Sequence, residues 1–88
     1  MFELWAKTVK NNKVIKDTVI TLKDQDTRTH KIFKALEEAC IQFDLERPIW
    51  LEMNVEQFKR SKRTRFRQDN FIESIPFDYL EICILKEN

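Results

Sequence analysis

The sequence predicts an α+β fold, in which a small and mostly antiparallel sheet packs on one long amphipathic helix. Three observations lead to this prediction. Residues 77–85, FDYLEICIL, are apolar at both alternating sets of positions, as in a strand covered on both faces. Residues 2–22 contain two stretches rich in β-branched and aromatic residues around an Asn-Asn pair, which indicates a hairpin. Apolar residues between 28 and 45 recur at helical spacing.

The size and charge of the chain limit the classes of function. Its 88 residues predict a single domain, 1–88, with a thin core. The net charge of +1 gives no overall attraction to nucleic acid or membranes, so an electrostatic function needs locally segregated charge. No apolar run approaches the ~20 residues of a membrane helix, and the N-terminal residues do not form a signal peptide. We therefore expect a cytoplasmic protein without membrane contact.

The chain contains no glycine. The phosphate-binding loops of nucleotide enzymes need glycine, because their backbone turns tightly and approaches the phosphates closely. Such loops are therefore excluded, and we expect Asn or Asp to occupy positions with positive φ.

The N-terminal hairpin is predicted to join residues 2–10 and 14–22 through the three-residue loop 11–13. With Lys10 opposite Val14, Leu4 pairs with Ile20, and the apolar residues of both strands lie on the same face of the hairpin. A two-residue loop shifts the strand pairing by one residue and mixes apolar with polar positions on each face. We therefore favour the three-residue loop. The opposite face then carries a second apolar patch, which consists of Trp5, Val9, Ile15 and Val19.

A long amphipathic helix is predicted from about Arg28 to Leu45. Asp26 or Thr27 can cap its N-terminus, and Arg47-Pro48 is expected to end it. Its apolar residues form one stripe, which consists of Ile32, Phe33, Leu36, Ala39, Cys40 and Phe43.

The segment after this helix predicts shorter elements. Residues 49–51 are apolar enough for a brief edge strand after Pro48. Asn54, with Gln57 three residues later, has the pattern of a capping box for a short helix, 55–61, that turns Val55 and Phe58 inward.

Two further elements are predicted before the C-terminal strand. Thr64 and Phe66 alternate with arginines, so residues 63–67 are a candidate short strand. Asp69 can cap a last helical turn over residues 70–75, and Pro76 then leads into the strand 77–85.

Five sequence segments resemble a group of short uncharacterised proteins from Firmicutes, especially clostridia. The resemblance runs over nearly the whole chain and rests on FELWAKTV (2–9), ALEE (35–38), PIWLEMN (48–54), FKRSKRTRF (58–66) and DNFIESIPFDYLEI (69–82). Because that group has no assigned activity, the resemblance carries over no functional residue. It implies a free-standing cytoplasmic bacterial protein.

The strongest charged feature is a basic segment with six cations in nine residues. An exposed aromatic residue among them, Phe66, would allow stacking on a base, as in nucleic-acid binding. Alternatively, Phe66 belongs to the core, and the segment is neutralised by the acidic positions of the long helix together with Glu52, Glu56, Asp69 and Glu73. The candidate binding residues are Lys59, Arg60, Lys62, Arg63, Arg65 and Arg67.

The apolar patch on the hairpin is the second candidate surface. Either the segment 49–75 folds back over it, which is the interpretation we favour, or a second molecule covers it.

No arrangement of residues predicts catalysis, a cofactor or a metal site. His30 is the only histidine, and its polar neighbours indicate a solvated imidazole. Cys40 and Cys83 each lie within an apolar pattern, as buried reduced thiols do, and one histidine with two distant cysteines does not make a zinc site.

The sequence therefore predicts a small non-enzymatic interaction module. The leading hypothesis is self-association as a homodimer, or binding of another protein, through a sheet face or edge. The alternative is weak binding of nucleic acid or phosphate through residues 59–67.

Overall fold

The computed structural model describes residues 1–23 and 25–87, and it confirms the predicted α+β class. Within these residues the sheet has the strand order β2-β1-β4-β3, and each neighbouring pair is antiparallel. The elements are β1 (Phe2–Lys10), β2 (Lys13–Leu22), α1 (Arg28–Gln42), α2 (Glu52–Ser61), β3 (Arg63–Phe66), a 3-10 turn (Gln68–Asn70) and β4 (Tyr79–Lys86).

The C-terminal strand lies inside the sheet, as its apolar run predicts. β4 pairs with β1 on one side and with β3 on the other. Its residues Leu80, Ile82 and Ile84 are buried in the core, together with the alternate residues of β1 and with α1.

The hairpin turn differs from the prediction, although most of the register agrees. Asn11 and Asn12 both have positive φ (52° and 63°), as a two-residue turn with this strand twist requires. Beyond the turn, a β-bulge leaves Ile15 unpaired and restores the predicted pairing of Leu4 with Ile20. The predicted three-residue loop is therefore wrong. A two-residue turn shifts the strand pairing by one residue, and the bulge at Ile15 corrects this shift.

Helix α1 begins where the sequence predicts and ends earlier. The Thr27 hydroxyl accepts a hydrogen bond from the His30 N–H (3.2 Å), which makes Thr27 the N-cap. At the C-terminus Asp44 adopts φ 54°, and the Leu45 N–H donates to the Cys40 carbonyl (2.9 Å). These contacts form a Schellman motif, with aspartate in the position that glycine usually takes. The helix therefore ends well before Pro48.

Helix α2 begins three residues earlier than predicted. Its N-cap is Leu51, and Asn54 occupies the third helical position, from which its Oδ1 accepts the Leu51 N–H (3.1 Å). The predicted edge strand at residues 49–51 is also wrong. The Ile49 N–H donates to the Asn70 carbonyl (2.6 Å), so this segment follows the 3-10 turn and not the sheet edge.

The predicted helical turn over residues 70–75 does not form. The Gln68 side chain donates to the Glu73 carbonyl (2.9 Å) and accepts the Ile75 N–H (3.0 Å). Because these bonds satisfy backbone groups that a helix would pair, the segment stays irregular. Ile72 is 83 % exposed as a result.

Both helices lie on the same side of the sheet. Phe58 of α2, Phe66 of β3 and Phe71 share one core cluster with Leu36 of α1. The expectation that the segment 49–75 covers the second face of the sheet is therefore wrong. That face, which we call the outer face, remains open.

Candidate interaction surfaces

The outer face presents a mixed apolar and charged surface. Strand pairing places Val19, Trp5, Cys83 and Arg63 in one row across all four strands. The next row is charged with alternating sign and consists of Asp17, Lys7, Glu81 and Arg65.

The charged row is internally neutralised. Glu81 lies between two cations, with its carboxylate 2.8 Å from Arg65 Nε and 3.6 Å from Lys7 Nζ. The Trp5 Nε1–H donates to Asp17 (3.0 Å), and Lys7 Nζ lies 4.4 Å from the centroid of the Trp5 ring. Cross-strand pairs of this kind stabilise an exposed sheet face without an added layer.

Of the four residues predicted to form one apolar patch, only Trp5 and Val19 lie side by side on the outer face. Trp5 is half-buried beside Val19, which is 49 % exposed. Val9 is buried and pairs with Val14 instead of Ile15. Because of the bulge, Ile15 lines a separate cavity of about 220 Å³ with Phe43, Leu45 and Phe77.

The six cations of the basic segment are all exposed. Three of them line a cavity of about 290 Å³ between α2 and the edge of the sheet, with Gln57, Ser61 and Thr64. We call these three residues the arginine cluster: Arg63, Arg65 and Arg67. Tyr79 of β4 lies beside this cluster, with the guanidinium carbons of Arg65 and Arg67 at 4.5 and 5.5 Å from its ring centroid.

The acids expected to neutralise this segment are not the ones that do so. Within the described residues, Glu52, Glu56, Asp69 and Glu73 form no ion pair with it. Instead Glu81 pairs with Arg65, and the hydrogen bond between them raises the pKa of Arg65. The carboxylate of Glu87 lies 3.3 Å from Lys62 and 2.6 Å from Arg28. Burial opposes ionisation of Glu87, but these hydrogen bonds outweigh it and lower its pKa.

Phe66 is fully buried, so it belongs to the core and does not stack on a ligand. Tyr79 is the aromatic residue that lies beside the arginines. The sequence reasoning missed it because Tyr79 is distant in the chain and contacts the arginines only through the pairing of β3 with β4.

A third surface, which the sequence reasoning also missed, lies between the two helices. Trp50 packs edge-on against Phe33, Phe58 and Phe66, with ring centroids 5.0 to 5.9 Å away. Two cavities of about 520 and 190 Å³ both border Trp50 and Phe33. We call this region the α1–α2 groove. Its lining residues are Arg28, Thr29, Ile32, Phe33, Leu36, Arg47, Pro48, Trp50, Val55, Phe58 and Lys59.

Large apolar side chains are exposed at and near this groove. Phe33, predicted as a core residue, is 47 % exposed, and Val55, predicted to point inward, is 37 % exposed. Ile49, Leu51 and Met53 are exposed in the neighbouring segment. The sequence carried a signal for this surface, since Ile49, Leu51, Met53 and Val55 alternate as in a strand, whereas alternate residues of a helix do not lie on one face and cannot be buried together.

Cys83 lies on the outer face, whereas Cys40 and His30 do not line these surfaces. Cys40 is buried, and burial raises the pKa of its thiol to about 11. His30 Nδ1 lies 3.1 Å from the Asp26 carboxylate, and its side chain is exposed. Among the described residues, no group of three His, Cys, Asp or Glu side chains is placed to hold a metal ion.

Comparison of the chain with protein-family models, with curated proteins and with solved structures finds no match in any of the three. Neither α1 nor α2, the two helices of the described residues, is long and apolar enough to cross a membrane. The function is therefore argued from the geometry of the three surfaces.

Proposed function

We propose that this protein is an interaction module, whose α1–α2 groove binds an amphipathic peptide segment of another protein. The observation that supports this proposal is the exposure of Phe33 and Val55 beside two adjoining cavities. Contiguous exposed apolar surface with a polar rim is typical of protein-binding sites. Burial of one large apolar side chain contributes roughly 1.5–3 kcal/mol, and several such contacts are needed because association also costs translational and rotational freedom.

The charge of the groove specifies the chemistry of its partner. The cavities are lined by Arg28, Arg47 and Lys59, and among residues 1–23 and 25–87 no acidic residue lines them. Arg28 is already paired with Glu87, so Arg47 and Lys59 are the cations that a partner would meet. A helical segment with apolar residues on one face and acidic residues at its flanks is complementary to this surface.

Two synthetic peptides test the proposal. Both carry Leu or Phe at positions i, i+3, i+4 and i+7 of a helix, and they differ in having either Glu or Lys at the flanks. We expect fluorescence anisotropy to show binding of the acidic peptide, and about tenfold weaker binding to the Phe33→Ser variant. A tenfold loss corresponds to about 1.4 kcal/mol.

The matched control is Ile41→Ser, which changes another exposed apolar residue of α1 that does not line the groove. Its affinity for the acidic peptide should equal that of the wild type. Equal affinity of Phe33→Ser and wild type, or equal binding of the acidic and basic peptides, would contradict the proposal.

The open outer face supports a second candidate, which is self-association as a homodimer. The row of Val19, Trp5 and Cys83 is apolar, and neither helix of the described residues packs on that side of the sheet. In sedimentation experiments we expect a dimer at high concentration that Val19→Lys dissociates and that Ile72→Lys leaves intact. A strict monomer at every concentration would exclude this candidate.

We also infer that the protein acts in the cytoplasm. Both cysteines are free thiols, which fits a reducing compartment.

A further inference from the structure

We propose that the arginine cluster and Tyr79 form a binding site for single-stranded nucleic acid, independently of the α1–α2 groove. The arginines contact phosphates, and Tyr79 together with its neighbouring guanidinium groups stacks on an unpaired base.

The first support is the spacing of the arginines. In β3 the side chains of Thr64 and Phe66 are buried, so Arg63 and Arg65 project to the opposite side. Alternate residues of a strand are separated by about 6.8 Å. This spacing is comparable to that of successive phosphates in an extended single strand, so Arg63, Arg65 and Arg67 can follow the backbone of such a ligand.

The second support is the balance of charge. Within the described residues, Arg63 and Arg67 form no ion pair, and Arg65 shares its single acid, Glu81, with Lys7. In the part of the chain that the structure describes, no acidic residue lines the cavity beside the arginines. A polyanion would therefore meet two unpaired guanidinium groups and a third that is only partly neutralised.

Polar groups of α2 complete the cavity. The Thr64 hydroxyl donates to Gln57 Oε1 (2.8 Å), which leaves the Gln57 amide NH₂ for another acceptor. The Ser61 hydroxyl donates to the Gln57 carbonyl (3.0 Å) at the same wall. The Gln57 amide NH₂ is therefore the donor at this wall that is left for a phosphate or sugar oxygen.

The third support is the aromatic platform. Tyr79 lies on a central strand of an open sheet face, where Arg65 and Arg67 pack against it. An open antiparallel sheet with aromatic residues on central strands is a recurrent way of binding unstacked bases. A duplex hides the faces of its bases, so the position of Tyr79 favours a single strand.

The test measures binding of labelled 12-nucleotide oligo(dT) and oligo(rU) and of a 12-base-pair DNA duplex by fluorescence anisotropy, at 50 and 200 mM NaCl. Three phosphate contacts predict a salt slope of about −2, which corresponds to a roughly 20-fold loss of affinity over this range. We expect both single strands to bind more tightly than the duplex.

Two variants separate charge from stacking. Arg63→Ala/Arg67→Ala should weaken binding at least tenfold at 50 mM NaCl and reduce the slope to about −0.7. Tyr79→Leu should weaken single-strand binding roughly fivefold or more and leave the slope unchanged. The charge-matched control is Lys13→Ala/Lys16→Ala on β2, the opposite edge strand, which should bind like the wild type.

The following results would overturn the proposal. The first is no binding at 50 mM NaCl, or unchanged affinity of the double arginine variant. The second is duplex binding as tight as single-strand binding. The third is displacement by millimolar inorganic phosphate with no effect of Tyr79→Leu, which would identify a simple anion site. None of these results involves Phe33, so they neither support nor contradict the proposal that the α1–α2 groove binds a peptide.

Discussion

Lys62 has a left-handed backbone conformation, with φ 61°, at the C-cap of α2. The three other described residues with positive φ are Asn11, Asn12 and Asp44, residue types that tolerate this region best after glycine. Those positions follow from the absence of glycine together with turn chemistry, and the sequence predicted the residue types correctly. Lysine gives no such signal, so Lys62 was not predictable.

We expect Lys62→Gly to stabilise the protein. Glycine removes the steric cost of the left-handed conformation, about 1 kcal/mol, and the exposed ion pair with Glu87 that is lost contributes little. The melting temperature should rise by roughly 4 °C or more. Lys62→Ala is the control, since it removes the same ion pair and keeps a β-carbon, and it should not raise the melting temperature.

The buried thiol of Cys40 predicts a loss of stability at alkaline pH. Its pKa is raised by burial from 9.0 to about 11, so the unfolded chain ionises before the folded one. This contribution is constant below pH 9 and declines as the pH rises towards 11, by roughly 2 kcal/mol at pH 10.5.

Urea unfolding at pH 8 and pH 10.5 measures this effect. The difference in unfolding free energy between the two pH values should shrink in Cys40→Ala. An unchanged difference in Cys40→Ala would contradict the prediction.

At the scale of elements, α2, β3 and the 3-10 turn are held together by a buried amide pair. Asn54 Nδ2 donates to Thr64 Oγ1 and to the Arg65 carbonyl, both at 2.9 Å. Asn70 Nδ2 donates to Asn54 Oδ1 (2.7 Å), and Asn70 Oδ1 accepts the Arg67 N–H (2.9 Å). Among the described residues no buried side-chain polar atom lacks a partner. The pair therefore fixes β3 and the arginines it carries.

Asn54→Ala should destabilise the protein by about 2–4 kcal/mol, because it leaves several buried groups without partners. Denaturant unfolding measures the loss, and Glu56→Ala, at an exposed position of the same helix, should cost less than about 1 kcal/mol. A loss below 1 kcal/mol in Asn54→Ala would show that water replaces these bonds.

This amide pair also explains why element boundaries were harder to predict than element types. The periodicity of α1 and the β-branched runs of β1 and β2 are local signals, and those elements form as predicted. Asn54 resembles an N-cap in sequence. In the structure its side chain accepts a hydrogen bond from Leu51, the true N-cap, and donates one to Thr64, ten positions ahead. Its role depends on tertiary contacts, which no local pattern encodes.

For the whole molecule, the two layers determine which surfaces are free. The apolar alternation of β4 predicted cover on both sides, but Tyr79 and Cys83 are only half-buried on the outer face. Which layer the segment 49–75 joins depends on where Phe58, Phe66 and Phe71 pack, and the sequence does not specify this. The α1–α2 groove was missed for the same reason.

The position of the strands in the sheet predicts their hydrogen exchange. β1 and β4 are central, whereas β2 and β3 are edge strands. Amide protons of β4 should exchange through global unfolding, and those in the second half of β2, away from the turn, should exchange by local opening. Nuclear magnetic resonance measures both rates, and equal protection of β2 and β4 would contradict this expectation.

Helix α2 contributes to both proposed sites from different sides. Val55, Phe58 and Lys59 line the groove, and Gln57 and Ser61 line the cavity beside the arginines. A ligand that shifts α2 in one site therefore changes the geometry of the other. By thermodynamic reciprocity, any change in peptide affinity caused by an oligonucleotide must equal the change in oligonucleotide affinity caused by the peptide.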